Sequence, residues 1–80
     1  MNLKPLCHAC ALGIDIGTSG VRAVAVDGEG RPVAASVFAY QAADDKRIPS
    51  AWWAAVENCL NDLSGKCALG SIEGIAVDGT

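Results

Sequence analysis

The apolar residues of this chain fall into short runs separated by clusters of glycine and polar residues. Residues 11–16 are apolar and end at a Gly/Thr/Ser cluster, a pattern that predicts a buried β-strand. Residues 21–27 and 31–40 contain several valines and predict two further strands, and Pro32 lies at a strand entry, where proline is tolerated. Asp-Gly-Glu-Gly at residues 27–30 is a strong turn signal. The first half of the chain is therefore predicted to form an antiparallel meander.

The pattern then changes to a helical period. Residues 41–49 are mostly polar and end in a proline, which predicts a loop. Ser50 is a suitable N-cap, and Gly65 is placed to end a helix. One face of this predicted helix collects the apolar side chains of Trp52, Ala55, Val56, Cys59, Leu60 and Leu63.

A loop over residues 66–71 leads to Ile72 and residues 75–77, which predict a fourth strand. A helical crossover normally places the strands that it joins parallel within one sheet. Asp15 and Asp78 are then expected at the carboxyl ends of neighbouring parallel strands, the edge where ligands bind in open α/β sheets. The predicted fold class is α/β, with the order β-β-β-α-β.

The first two predicted strands are joined by small residues that suit an anion site. Gly17, Thr18, Ser19 and Gly20 offer backbone N–H groups and hydroxyls, and no bulky side chain blocks an approaching anion. An acid precedes this loop and a base follows it. The lysine-containing P-loop and the G-x-G-x-x-G fingerprint are both absent. The pattern therefore predicts a hairpin that binds nucleotide phosphates.

Each candidate residue also has a purely structural interpretation. Asp15 fits a magnesium-linked carboxylate, because Mg²⁺ takes one or two carboxylates together with phosphates, but aspartate is also common in turns. Arg22 could reach a phosphate, pair with Asp15 or simply be solvated. Asp78 and Thr80 are placed either to contact the phosphate acceptor or to form a strand-end turn. Trp52 and Trp53 are expected at the helix–sheet boundary, with stacking on a ligand as the alternative.

Composition narrows the class of protein. The chain has 80 residues and a net charge of −3, which argues against binding to nucleic acid or to an anionic membrane, since both favour a basic patch. No apolar run approaches the roughly 18–20 residues of a membrane span, and no signal peptide is recognisable. We therefore expect a cytoplasmic protein. Residues 1–10 show neither the alternation of a strand nor the spacing of a helix, and they are predicted to be an N-terminal tail.

The cysteines leave three possibilities. Cys7 and Cys10 form a C-x-x-C pair, but Cys59 and Cys67 lack the close spacing of a second zinc-binding pair. Unpaired thiols in a reducing compartment are favoured over zinc or a disulfide. His8 is assigned no role.

Four stretches of the chain resemble the FGGY family of carbohydrate kinases. They are residues 12–23, the turn and following Val-Ala at residues 27–34, the Trp pair at residues 52–53 and the closing residues 72–80. The ending Val-Asp-Gly-Thr is closer to its ribulokinase and D-ribulose or xylulose kinase branch. The resemblance covers residues 11–80 and only the start of a family member. That family is part of the actin/hexokinase superfamily, which implies a ribonuclease H-like fold that is incomplete here.

The resemblance implies binding of ATP and Mg²⁺ and transfer of the γ-phosphoryl group to a hydroxyl of a sugar, here a pentulose. It assigns Asp15 to the metal and Gly17, Thr18, Ser19 and Arg22 to the phosphates. It places Asp78 and Thr80 at the sugar. The catalytic base and the adenosine pocket are expected beyond residue 80, in the rest of the kinase chain. The alternatives are an actin-like ATP-binding scaffold and a truncated gene product that binds nothing.

We predict that the 80-residue chain alone does not phosphorylate sugars, because phosphoryl transfer depends on several parts that position the reactants and neutralise charge together. The measurement is ADP release from Mg-ATP with and without a pentulose. Sugar-dependent ATP turnover by the purified chain would contradict the prediction.

Overall fold

Six strands and one helix form the part of the chain that a computed structural model describes, residues 7–42, 47–70 and 72–79. In chain order these elements are β1 (Cys7–His8), β2 (Ala11–Ile16), β3 (Gly20–Val26), β4 (Pro32–Ala39), α1 (Pro49–Ser64), β5 (Cys67–Ala68) and β6 (Gly74–Gly79). They make a small mixed α/β fold with a four-stranded mixed sheet. The predicted α/β class and the order of the main elements are confirmed.

The main sheet has the strand order β4-β3-β2-β6. β2 pairs antiparallel with β3, and β3 pairs antiparallel with β4, which confirms the predicted meander. β6 returns beside β2 and runs parallel to it. The predicted adjacency of the first and last main strands is therefore confirmed, and β4 and β6 are the edges of this sheet.

Residues 7–10 are bound to the fold and are not the tail that the sequence predicted. β1 pairs parallel with β5, within the segment that was expected to be a loop. The N–H of Cys10 donates to the carbonyl of Val26 at 2.8 Å, and its carbonyl accepts from the N–H of Glu73 at 2.8 Å. Ala9 is fully buried. Two-residue strands are too short for a period-2 pattern to be detected, so the residue pattern does not predict this pairing.

The helix begins two residues earlier than predicted. Ile48 is the N-cap, without a side-chain hydrogen bond, and Pro49 is in the first turn. The predicted Ser50 cap is therefore wrong, because proline is well suited to the first helical position, where its missing N–H costs nothing. Gly65 ends the helix as predicted, with its N–H directed to the carbonyl of Asp62.

The core lies between α1 and one face of the sheet. α1 packs mainly against β3 and β4. The helix contributes Ala55, Val56, Cys59 and Leu63, and the sheet contributes Leu12, Ile14, Val21, Ala23 and Ala25. The predicted apolar helix face is confirmed, with Trp52 and Leu60 only half-buried. The opposite face of the sheet, which we call the helix-free face, is not covered by a helix of the described residues.

Cys59 is a buried core thiol, as predicted from its place on the helix face. Its Sγ donates weakly to the carbonyls of Val21 and Ser36 at 3.5 and 3.8 Å. Burial raises the pKa of this thiol above its usual range, because a thiolate loses hydration there. Cys10 is also a free thiol.

The turn after β3 is held by Asp27. Its carboxylate accepts hydrogen bonds from the N–H groups of Glu29 and Arg31, both at 2.9 Å, and contacts the Arg31 guanidinium. Gly30 has φ of 80°, a left-handed conformation that glycine adopts without strain. The hydrogen bond from the Arg31 backbone is the main cause that lowers the pKa of the Asp27 carboxyl.

We predict that Asp27→Asn removes a stabilising contribution that depends on pH. A carboxyl with a lowered pKa stabilises the fold above its unfolded pKa, about 3.9, and loses that effect as pH falls through the folded pKa. The measurement is urea unfolding between pH 7 and pH 2. The stability gap between the original chain and Asp27→Asn should close on acidification. A gap that is constant with pH, or one that Glu57→Gln on the exposed helix face reproduces, would contradict the role of Asp27.

Candidate phosphate site

The β2–β3 connection is a tight hairpin with two residues at its tip. The N–H of Gly17 donates to the carbonyl of Gly20 at 2.9 Å, which leaves Thr18 and Ser19 exposed between them. No described residue other than glycine has positive φ. The tip is therefore not a type I′ turn, which requires positive φ at both central positions.

The two glycines of the hairpin, Gly17 and Gly20, differ in how much room the fold leaves for a side chain. A Cβ on Gly20 would lie 2.4 Å from the carbonyl oxygen of Phe38 and 2.8 Å from the Cα of Ala39, so the backbone of β4 excludes any side chain there. A Cβ on Gly17 would meet only the Gly20 carbonyl oxygen, at 3.5 Å, an ordinary contact. Gly20 is thus required by strand packing, whereas at Gly17 the protein itself leaves room for a methyl group.

Three charged side chains meet on the helix-free face. Asp15 is the register partner of Arg22 on β3 and of Asp78 on β6. All three residues are exposed, whereas Ile14, the neighbour of Asp15, is buried on the helix side. Register partners on adjacent strands, which lie about 4.8 Å apart, project to the same face. Asp15 therefore lies between a guanidinium and a second carboxylate.

Asp15, Arg22 and Asp78 form no ion pairs with one another in the described structure. The ion pairs of the described residues involve Arg31 and Lys66 as the bases, and neither Asp15 nor Asp78 is among their acids. The predicted alternative in which Arg22 pairs with Asp15 is therefore wrong for this structure. The guanidinium remains available to an external anion, and both carboxylates remain available to an external cation.

Two shallow depressions meet at Asp15 and Arg22. One, of about 250 Å³, is lined by the hairpin residues Gly17, Ser19 and Gly20 together with β3 and β4. The other, of about 330 Å³, extends across β2 to Asp78 on β6. Asp15 and Arg22 line both. The site is consequently an open trough that runs from the hairpin to the sheet edge.

Most of the predicted site residues are brought together. Gly17 and Ser19 line the trough with Arg22 and the two carboxylates, while Thr18 lies at the exposed tip and is not among the lining residues. Thr80 lies outside the described residues. The parallel return of β6 is what places Asp78 within reach of the hairpin.

The carboxylates of Asp15 and Asp78 fit a Mg²⁺ ion that also binds phosphates. Mg²⁺ is held by one or two carboxylates, with the remaining positions taken by waters and phosphate oxygens, and Asp15 and Asp78 are exposed oxygen donors on adjacent strands. No group of three or more His, Cys, Asp or Glu side chains suited to a metal is found within the described parts of the chain. The protein residues alone do not form a complete cage, so the ion would arrive with its phosphates.

Two polar contacts between Tyr40 and the hairpin were not predicted. The hydroxyl of Tyr40 donates to the carbonyl of Gly17 at 3.0 Å, and the N–H of Tyr40 donates to the carbonyl of Ser19 at 3.0 Å. Tyr40 follows β4, far from the hairpin in sequence. Because its partners are backbone carbonyls, no residue pattern could have indicated the contacts.

The tryptophan pair borders a different surface. Trp52 is half-buried, but Trp53 is 63% exposed, since one residue corresponds to 100° around a helix. Both line an apolar groove of about 210 Å³ with Ile14, Ile16 and Val77. The groove is on the helix side of the sheet, away from the trough, so the expected packing at the helix–sheet boundary holds for Trp52 more than for Trp53.

Comparison with known proteins adds no family assignment. No protein-family model matches the chain, and a search of curated proteins finds no match. Among the described residues, no helix has both the length and the apolar character needed to cross a bilayer.

We predict opposite outcomes for the two glycines of the hairpin. Gly20→Ala should destabilise the fold by about 1–3 kcal/mol, the usual cost of forcing atoms into a packed region, because its Cβ meets the β4 backbone. Gly17→Ala should leave the unfolding free energy within about 0.5 kcal/mol of the original. Urea unfolding monitored by tryptophan fluorescence measures both. Equal stability of the two variants would contradict the close approach of β4 at Gly20.

Proposed function

We propose that this chain is the N-terminal part of an ATP-dependent carbohydrate kinase, in which the hairpin of residues 17–20 binds the phosphates of Mg-ATP. The reaction of the whole enzyme is transfer of the γ-phosphoryl group to a hydroxyl of a sugar. The resemblance of the closing residues to pentulose kinases favours a pentulose as that sugar. The proposal includes a ribonuclease H-like fold, a cytoplasmic location and a catalytic base contributed by the rest of the kinase chain.

The observation that carries the proposal is the register of three strands. It puts Asp15 between Arg22 and Asp78, next to a hairpin whose tip is free of large side chains. Phosphoryl transfer depends on positioning and on neutralising the charge of the phosphates. A guanidinium, two carboxylates and a glycine hairpin on one open face are suited to that task.

Each residue has a separate role in this proposal. Arg22 donates to phosphate oxygens, which guanidinium groups bind in a bidentate manner. Gly17 and Ser19 let the phosphates approach the backbone. Asp15 coordinates the cation directly or accepts a hydrogen bond from one of its waters, and Asp78 holds the sugar next to it. When bound, Mg²⁺ neutralises phosphate charge and orients the γ-phosphoryl group.

The charges also make the proposal testable without turnover. Without a cation, Asp15 repels the phosphates, and with Mg²⁺ it attracts the complex, so its effect on binding should reverse in sign. We predict that Asp15→Asn weakens binding of Mg-ATP about tenfold, or about 1.4 kcal/mol, and makes binding of ATP in EDTA tighter. Isothermal titration calorimetry on the 80-residue chain measures both constants.

Glu57→Gln is the matched control, because it removes the same charge from an exposed position on α1. It should leave both binding constants within about twofold. Absence of Mg-ATP binding by the unmodified chain would overturn the proposed function. The same would follow if Asp15→Asn and Glu57→Gln had equal effects, since only general electrostatics would then be involved.

A further inference from the structure

We infer that Tyr40 is a positioning residue that sets the orientation of the phosphate hairpin. The inference rests on the proposed function, because it specifies how the same hairpin is made ready for an anion. Tyr40 contacts the hairpin twice, through its hydroxyl at Gly17 and through its main-chain N–H at Ser19. Both contacts reach carbonyls of the loop between β2 and β3.

The direction of the first contact follows from the alternation of β4. Val37 is the register partner of Arg22 and belongs to the helix-free face, whereas Phe38 pairs with the buried Val21. Tyr40 is two residues beyond Phe38 and projects to the same side, toward the helix. Its ring borders a cleft of about 170 Å³ that Ala51 and Ala54 of α1 also line. The hydroxyl is therefore held on the helix side of the hairpin.

A hydrogen bond to a carbonyl also fixes the next N–H. The peptide group is planar and trans, with its C=O and N–H pointing in opposite directions, and no cis peptide is present among the described residues. Because the Gly17 carbonyl points to Tyr40, the N–H of Thr18 points away from it, toward the face that carries Asp15 and Arg22. One phenol hydroxyl thus directs a backbone donor at the proposed phosphate position.

The second contact fixes the other side of the tip. The Ser19 carbonyl points to the N–H of Tyr40, so the N–H of Gly20 is directed away from β4. This contact uses only the backbone of Tyr40 and survives any substitution of its side chain except proline. The two peptide groups of the hairpin can therefore be perturbed separately.

The experiment replaces the hydroxyl and keeps the ring. Tyr40→Phe should change the N–H residual dipolar coupling of Thr18 in the free protein and leave that of Gly20 unchanged. It should also weaken binding of Mg-ATP about tenfold, as expected for a misdirected donor to a charged group. Trp53→Phe is the control, since it removes a polar N–H from an exposed aromatic residue that borders the apolar groove and not the trough.

Several outcomes would overturn the role of Tyr40. They are an unchanged Thr18 coupling in Tyr40→Phe, unchanged Mg-ATP affinity beside a changed coupling, and an equal loss of affinity in Trp53→Phe. If the unmodified chain binds no Mg-ATP, the proposed function fails, while the coupling still decides whether the hydroxyl orients the hairpin. The two failures are therefore distinguishable.

A second measurement covers the case in which Tyr40→Phe does not fold. Tyr40 is the only tyrosine in the chain, so biosynthetic 3-fluorotyrosine labels this site alone and keeps the hydroxyl. Addition of Mg-ATP should shift the fluorine resonance, because the ring is hydrogen-bonded to the hairpin that binds the phosphates. A resonance that does not move at saturating Mg-ATP would overturn the inference.

Discussion

The parallel pairing of β2 with β6 is the interaction on which the candidate site depends. β2 and β3 already share a hairpin, and their pairing alone brings Asp15 beside Arg22. Only the return of the chain through α1 adds a second carboxylate on the other side of Asp15. A shift of this pairing by one residue would turn Asp78 to the opposite face, because side chains alternate along a strand. The site is thus specified by register as much as by residue type.

β2 and β6 carry apolar side chains on the same side of the sheet, but the core covers them unequally. Leu12 and Ile14 of β2 are buried, and the neighbouring side chains of β6, Ile75 and Val77, lie on the same side of the sheet. They remain 61% and 62% exposed, since α1 lies mainly over β3 and β4. The apolar side of β6 therefore has neighbours along the sheet but little cover above it. The groove beside Trp53 is the visible consequence of this uneven cover.

Sequence pattern predicted the elements that have a clear period. Alternation and valine content located β2, β3 and β4, the helical wheel identified Cys59 and Leu63 as core residues, and the crossover rule predicted the position of β6. The pairing of β1 with β5 was not predictable, because two-residue strands carry no period. Nor was the contact of Tyr40 with Gly17, whose acceptor is a carbonyl that every residue has. The role of Gly20 depends on how closely β4 passes, which is a property of packing.

The connectivity of the sheet has a further consequence for the order of folding. The β2–β3–β4 meander is built from neighbours in sequence, whereas β6 must return to β2 from the far end of the chain. Contacts between distant residues cost more loop-closure entropy and form more slowly than local ones. We therefore expect the hairpin with Arg22 to form before Asp78 docks beside Asp15. Assembly of the carboxylate pair is then a late step of folding, so an intact site indicates that the four-stranded sheet has closed.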